Sequence, residues 1–234
     1  MESSREGIPY PSRKNRVFKA VVDGRRLVAK TYSAERAHLA QKEFSVLQDC
    51  ARRGVRVPGP MGLRERALLL ELVEGVNAAE HLDSIWAAYL SGDVAAEAAV
   101  TVLVDGVSGW LAGFHRAFGF KTVRGDAILK NFVLGVDGVV TGLDLEESMA
   151  GDPMDDLGQL CAFVISMYPA FTEARFLLAK RFADRYWVLS GSDRPRSDLA
   201  PAVARALRYS SGFRKDASAL VAWAERLERG EVSL

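Results

Sequence analysis

Residues 131–144 constrain this chain most. Two apolar runs, Phe132-Val133-Leu134 and Val139-Val140, flank Asp137-Gly138, a dipeptide that favours the tight turn of a β-hairpin. A hairpin returns the chain to its starting point, so Asn131 before the first strand and Asp144 after the second are brought side by side. Asp126 lies on the segment leading in, and an acid, an amide and a second acid converge within a short span. As isolated residues the three also fit a plainer role, with Asp126 and Asn131 capping a turn and Asp144 ending a strand.

Phosphoryl transfer needs this grouping: one Asp accepts the hydroxyl proton while an Asn and a second Asp hold magnesium against the phosphates. The spacing Asp126-x-x-x-x-Asn131, followed by a hairpin and Asp144, resembles the catalytic core of the protein-kinase-like superfamily. Arg124-Gly125-Asp126 resembles the His-Gly-Asp of its atypical branch: the aminoglycoside phosphotransferases, the RIO-type kinases and the small kinase of the tRNA threonylcarbamoyladenosine complex. Arg124 stands where those proteins carry His. Asp144-Leu145-Glu146 stands where protein kinases carry Asp-Phe-Gly; the glycine that lets that segment flip is missing. Gly151-Asp152-Pro153-Met154-Asp155-Asp156-Leu157 resembles the Gly-Asp-Pro-x-x-Asp-Leu of the aminoglycoside phosphotransferases. There the Asp before the Leu, here Asp156, opens a helix and binds the catalytic-loop backbone.

The resemblance extends towards the N-terminus. Asn15–Val22 and Arg25–Lys30 read as strands around Asp23-Gly24. Val28-Ala29-Lys30 resembles the kinase strand whose Lys contacts the ATP phosphates. Ala34–Arg53 reads as an amphipathic helix, and Glu43 on it is the candidate to orient Lys30; Glu35 is the rival, only five residues past Lys30. No glycine occurs between Gly7 and Gly24, so the phosphate-covering glycine loop is absent, leaving Ser12, Lys14 or Arg16 to substitute with side chains. The first dozen residues read as an irregular lead-in. Ala67–Gly75 reads as a buried strand running into a hinge, where the resemblance implies that the backbone of Glu71, Leu72 and Val73 binds adenine.

Helical patterns cover Ala78–Leu90 and Val94–Phe118, and four more helices follow over 157–168, 173–189, 199–210 and 215–227. His115, near the end of the second helix, is expected to be a packing residue, and Gly119 a helix cap. Charge is uneven: residues 1–66 hold 15 Lys and Arg against 7 Asp and Glu, and residues 71–160 hold 4 against 15. This division suits a polyanion under a basic part with magnesium on the acidic side, and equally suits solvated faces. The 2 cysteines exclude a disulfide framework or zinc site and point to a reducing, cytoplasmic setting; no signal peptide or membrane span is expected.

The expectation is an α+β, two-lobe protein-kinase-like fold with a small β-rich N-terminal lobe, residues 1–77, and a mainly helical C-terminal lobe, residues 78–234. The implied function is transfer of the γ-phosphoryl of ATP to a hydroxyl. Asp126 acts as base or hydroxyl orienter, Lys30 holds phosphates and Glu43 orients Lys30. Asn131 and Asp144 bind Mg2+, and Glu146 assists. An atypical serine/threonine protein kinase is the first reading; a small-molecule kinase of the aminoglycoside-phosphotransferase type and a pseudokinase binding module are the alternatives. The acceptor is a protein or small molecule; nucleic acid is left open, and no membrane partner is expected. With eleven residues between Asp144 and Asp156, no activation-loop switch is expected, and the positive charge of Arg175, Lys180, Arg181, Arg185, Arg205, Arg208, Arg214 and Lys215 suits an anionic acceptor and equally suits solvated helix faces.

Overall fold

Asp23 and Gly24 both adopt positive φ, +49° and +75°, the geometry that joins twisted antiparallel strands through two residues. They connect β2 (Arg16–Val22) to β3 (Arg25–Thr31) as the sequence predicts. The computed structural model describes residues 9–10 and 15–234. With β1 (Pro9–Tyr10), β4 (Pro60–Arg64) and β5 (Ala67–Glu71), these strands form an antiparallel sheet of order β1-β2-β3-β5-β4. Two of these strands depart from expectation. β1 falls in the presumed irregular lead-in, and β4 in a segment rich in Gly and Pro. Both are edge strands, whose regularity comes from pairing with a neighbour and which tolerate Pro.

Helix α1 (Ala37–Arg52), preceded by a 3-10 turn over Ala34–Arg36, buries Ala40, Glu43, Leu47 and Cys50. The spacing of three and four residues makes one stripe, and Glu43 lies on it. Lys30 occupies a middle position of the sheet, paired with Val17 on one side and Leu68 on the other. Helix and sheet therefore aim Glu43 and Lys30 at each other.

The remainder is mainly helical. Short β6 (Val76–Asn77) leads into α2 (Ala78–Leu90), capped by Asn77, whose side chain accepts from Ala79 N at 3.0 Å. Next comes α3 (Val94–Ala117). It is long and apolar enough to cross a membrane, but here it is a core helix, packed on α2 and on α5 (Glu173–Ser190), with Arg181 and Arg185 paired to its Glu97 and Asp105. Gly119 (φ +62°) ends α3, and Phe120 N bonds to His115 O at 2.7 Å, the predicted glycine cap.

After β7 (Thr122–Val123), the hairpin β8 (Phe132–Leu134) and β9 (Val140–Gly142) forms as predicted, and β6 extends it. A Cβ at Gly142 would lie 2.2 Å from the Trp110 ring, so only glycine lets the hairpin lie against α3. The Arg56 carbonyl accepts from Gly142 N (3.2 Å) and Trp110 Nε1 (2.6 Å), tying the connection after α1 to hairpin and helix. β10 (Met149–Ala150) pairs with β7. The chain closes with α4 (Pro153–Ile165), α5, α6 (Leu199–Ser211) and α7 (Ala217–Glu228). Helix α4 starts four residues before the predicted 157. Pro153 stands at its first turn and Asp152 caps it, accepting from Met154 N at 3.0 Å, a start signal for the helix.

Candidate active site

Lys30 Nζ lies 2.7 Å from Glu43 Oε2, 2.6 Å from Asp144 Oδ1 and 3.1 Å from Glu146 Oε2. Burial alone would lower the ammonium's pKa, but Glu43 and Asp144 outweigh it, so the pKa stands well above the ordinary lysine value. Burial pushes the Glu43 carboxyl up and Lys30 pulls it down; the short contact to a cation that holds its proton favours the ionised pair. Oxygens of Glu43, Asp144 and Glu146 come within 4.8 Å of one another, because one ammonium sits among them.

Glu43 does more than pair with Lys30. Its Oε1 accepts from Leu145 N at 3.0 Å, and Tyr32 donates its hydroxyl to Oε2. Glu35, the rival, is exposed. Both oxygens of buried Glu146 are engaged: Oε1 by Arg36 at 2.6 Å, Oε2 by Asn15 at 2.7 Å and by Lys30. Three carboxylates thus face two cations, and Asp144 is the exposed one, with a side chain 40% accessible against 2% or less for the other two. It is the carboxylate that can leave Lys30 most readily for an incoming cation.

The opposite wall is the loop from Arg124 to Asn131. Asn131 Nδ2 donates to the carbonyl and to Oδ2 of Asp126, both at 2.9 Å, and the Asn131 carbonyl accepts from Leu143 N at 2.8 Å. Hairpin closure therefore sets Asn131 beside the residue preceding Asp144, as the sequence implied. Asp144 adopts φ +57°, a conformation unusual outside glycine that tends to mark functional positions. Gly125 has φ +84°, and a Cβ there would lie 2.5 Å from Glu147 O, so no side chain fits between the two loops.

Asp156 supports this wall from below. Its Oδ2 accepts from Arg124 N at 2.7 Å and its Oδ1 from Gly125 N at 3.0 Å, while His115 Nε2 lies 3.0 Å from Oδ2. His115 Nδ1 meets the Tyr186 hydroxyl at 2.8 Å, a fully bonded packing histidine as expected. Arg124 is wholly buried. Its Nη1 donates to Asp126 O at 2.5 Å, and its Nη2 donates to Leu143 O and, at 3.4 Å, to Asp144 O. The guanidinium rests 4.8 Å over the Phe132 ring and 5.7 Å from that of Trp110. Burial pulls its pKa down, and Asp156, Asp126 and Asp144 oppose the fall.

Lys30, Glu43 and Asp144 thus form one side-chain cluster and Asp126 and Asn131 another, and the bond from Leu143 N to the Asn131 carbonyl ties the two segments together. The fold is that of the solved antibiotic kinases and aminoglycoside phosphotransferases with which the chain aligns. A family model described as the RIO domain matches residues 15–101. Among solved structures, an amicoumacin kinase in complex with AMP-PNP, Ca2+ and Ami is 10% identical, with a TM-score of 0.59 over 96% of this chain and 88% of its own. An apo thermostable mutant of aminoglycoside phosphotransferase APH(4)-Ia is 15% identical, with a TM-score of 0.56 over 99% of this chain and 97% of its own. Aminoglycoside phosphotransferase APH(3'')-Id from Streptomyces rimosus, in complex with ADP and streptomycin, is 20% identical, with a TM-score of 0.50 over 79% and 86%. A search of curated proteins found no significant sequence match.

The segment expected to form the hinge follows β5. Glu71 N is already bonded to Gly59 O at 2.9 Å, whereas Leu72 and Val73 lie past the end of the strand. Ser12 and Lys14, offered as substitutes for the glycine loop, lie outside the described residues; Arg16 begins β2. Five of the C-terminal arginines are ion-paired within the fold. Arg181 pairs with Glu97 (2.9 Å), Arg185 with Asp105 (2.8 Å), Arg205 with Asp155 (2.7 Å), Arg208 with Glu228 (2.7 Å) and Arg214 with Asp216 (2.7 Å). These pairs lie at the surface, with the Arg205 side chain 60% exposed. Two contributions were hidden in the sequence: the Arg36–Glu146–Asn15 contacts and the reach of Arg124. The position of Glu43 on a buried stripe was the available signal for preferring it to Glu35.

Proposed function

We propose that the protein is an ATP- and magnesium-dependent phosphotransferase whose acceptor is the hydroxyl of a small molecule. The convergence of Lys30, Asp126, Asn131 and Asp144 carries this reading. The donor set suits a hard divalent cation, since Asp144 and Asn131 supply carboxylate and amide oxygens, and they would hold magnesium. Bound there, the metal offsets charge on the phosphates. Lys30, oriented by Glu43, contacts the phosphates, and the backbone of Leu72 and Val73 meets the adenine edge. Asp126, with Asn131 fixing one carboxylate oxygen, orients the acceptor hydroxyl and takes its proton. The hydroxyl oxygen forms a bond to the γ-phosphorus as the bond from that phosphorus to the β–γ bridging oxygen breaks, leaving ADP; the proton passes from Asp126 to solvent.

The small-molecule reading draws on structural neighbours whose names carry amicoumacin and streptomycin and which align over most of the helical part. It also draws on the short run between Asp144 and Asp156, pinned by the β7–β10 pair, which offers no long segment to dock an extended peptide. The serine/threonine protein kinase reading keeps the support of the RIO match, but that match ends at residue 101, before every residue that would touch an acceptor. A magnesium-dependent thermal shift with ATP, followed by a screen of hydroxylated small molecules and proteins with labelled ATP, tests the proposal. Label transfer to a small molecule is expected. Label on protein alone would favour the kinase reading, and nucleotide binding without any transfer would favour a pseudokinase.

A further inference from the structure

Arg124 is a departure from His-Gly-Asp that the reaction scheme leaves unexplained, and its surroundings give it a task. The guanidinium is wholly buried yet forms no ion pair among the described residues; its Nη groups are spent on the carbonyls of Asp126, Leu143 and Asp144. Those carbonyls belong to the two loops that carry the proposed base and the proposed metal ligand. Its own backbone is held at both ends, the N–H by Asp156 at 2.7 Å and the carbonyl by Ser148 Oγ at 3.4 Å, and aromatic rings lie beneath the side chain. A planar fork with donors on separate nitrogens can span two loops at once; histidine offers at most one donor on each side of a small ring, and lysine donates from a single atom.

We infer that Arg124 is a positioning residue that fixes the Asp126 and Asp144 loops relative to each other, so that base and metal ligand are set as one unit. The inference rests on the phosphotransfer reading, and its test separates the two. Arg124→Lys and Arg124→His are compared with the parent by hydrogen–deuterium exchange in the free protein, without nucleotide. The amides of Ile128, Asn131, Leu143 and Leu145 all bond within these loops or to Glu43. Exchange over 126–131 and over 143–148 is expected to accelerate together in both variants. In turnover assays kcat is expected to fall about tenfold to a hundredfold, as for residues that orient metal ligands from behind. The magnesium concentration for half-maximal activity should rise while the KM for ATP stays within about twofold, because Lys30 and the hinge are untouched.

A role confined to stability would lower Tm but leave kcat and the magnesium requirement of the folded protein unchanged, and that result overturns the inference. Acceleration in one segment alone, or in neither, overturns it too. Failure of both variants to fold would also overturn it, because Arg124 would then serve the fold rather than the site. If the parent shows no turnover, the phosphotransfer reading fails, while the exchange data still decide whether Arg124 couples the loops.

Discussion

Two side-chain clusters support the candidate site, and they are built differently. Around Lys30, the carboxylates of Glu43, Asp144 and Glu146 outnumber the cations that face them, and Asp144 is open to solvent. Around Asp156 nothing is left to exchange: the carboxylate is fully buried, both oxygens accept backbone N–H groups, and His115 and Tyr186 complete the chain. A cluster with surplus negative charge and an exposed member is suited to trading a lysine for a metal. A closed cluster in which both carboxylate oxygens are engaged can only hold a loop in place. The first belongs to the chemistry, and the second to the precision of the loop that carries Asp126.

The largest effect should come from the closed cluster. Asp156→Ala strips the Arg124 and Gly125 amides and His115 of their shared acceptor, and a loss of about 3–5 kcal/mol is expected by analogy with breaking a buried charged contact. Denaturant unfolding would measure it, and a loss below 1 kcal/mol would mean that water replaces the carboxylate.

Asp144→Asn, in the open cluster, should leave stability nearly unchanged while lowering magnesium-dependent turnover by about a hundredfold to a thousandfold. An amide cannot balance phosphate charge as a carboxylate does. Parental turnover with parental magnesium dependence would contradict the contrast between the clusters.

The Lys30–Glu43 pair sharpens it further. Lys30→Met should reduce turnover more than Glu43→Gln, and the double variant should lose less than the two single losses summed, with a coupling of about 1–3 kcal/mol. Strict additivity would show that they do not act together. The raised pKa of Lys30 fixes the sign of its pH dependence. Its stabilising contribution is complete below the unfolded-state lysine value of about 10.4 and is lost only as pH climbs through the higher folded-state value. The gap in denaturation midpoint between parent and Lys30→Met should therefore hold steady from neutrality to about pH 10 and narrow above it.

The smallest effects belong to the exposed ladders outside both clusters. Reversing Arg208, paired with Glu228 on the surface, should leave the denaturation midpoint nearly unchanged and acceptor KM unchanged. A change in acceptor KM on reversing Arg205 or Arg208 would revive an anionic-acceptor surface that the internal pairing argues against.

Much of this arrangement was legible in the residues themselves. The Asp-Gly turns at 23–24 and 137–138 declare two hairpins because turn geometry is local, and the second hairpin alone brings Asn131 next to Leu143 and Asp144. The helices over 78–90 and 94–117 follow from periodicity, which is also local. The succession of Lys30, Glu43, Asp126, Asn131, Asp144 and Asp156 suggested a site because their order matches one chemistry. Tertiary structure decided what no local rule can reach. The contacts of Glu146 with Arg36 and Asn15 span 110 and 131 residues. The placement of Glu43 between Lys30 and Leu145 N depends on how α1 packs across the sheet. Whether a basic residue such as Arg181 or Arg205 is free for a ligand depends on which acid the neighbouring helix presents. Arg124 shows the division most clearly: its identity is read from one position, but its hold on two loops exists only once the hairpin has folded back over it.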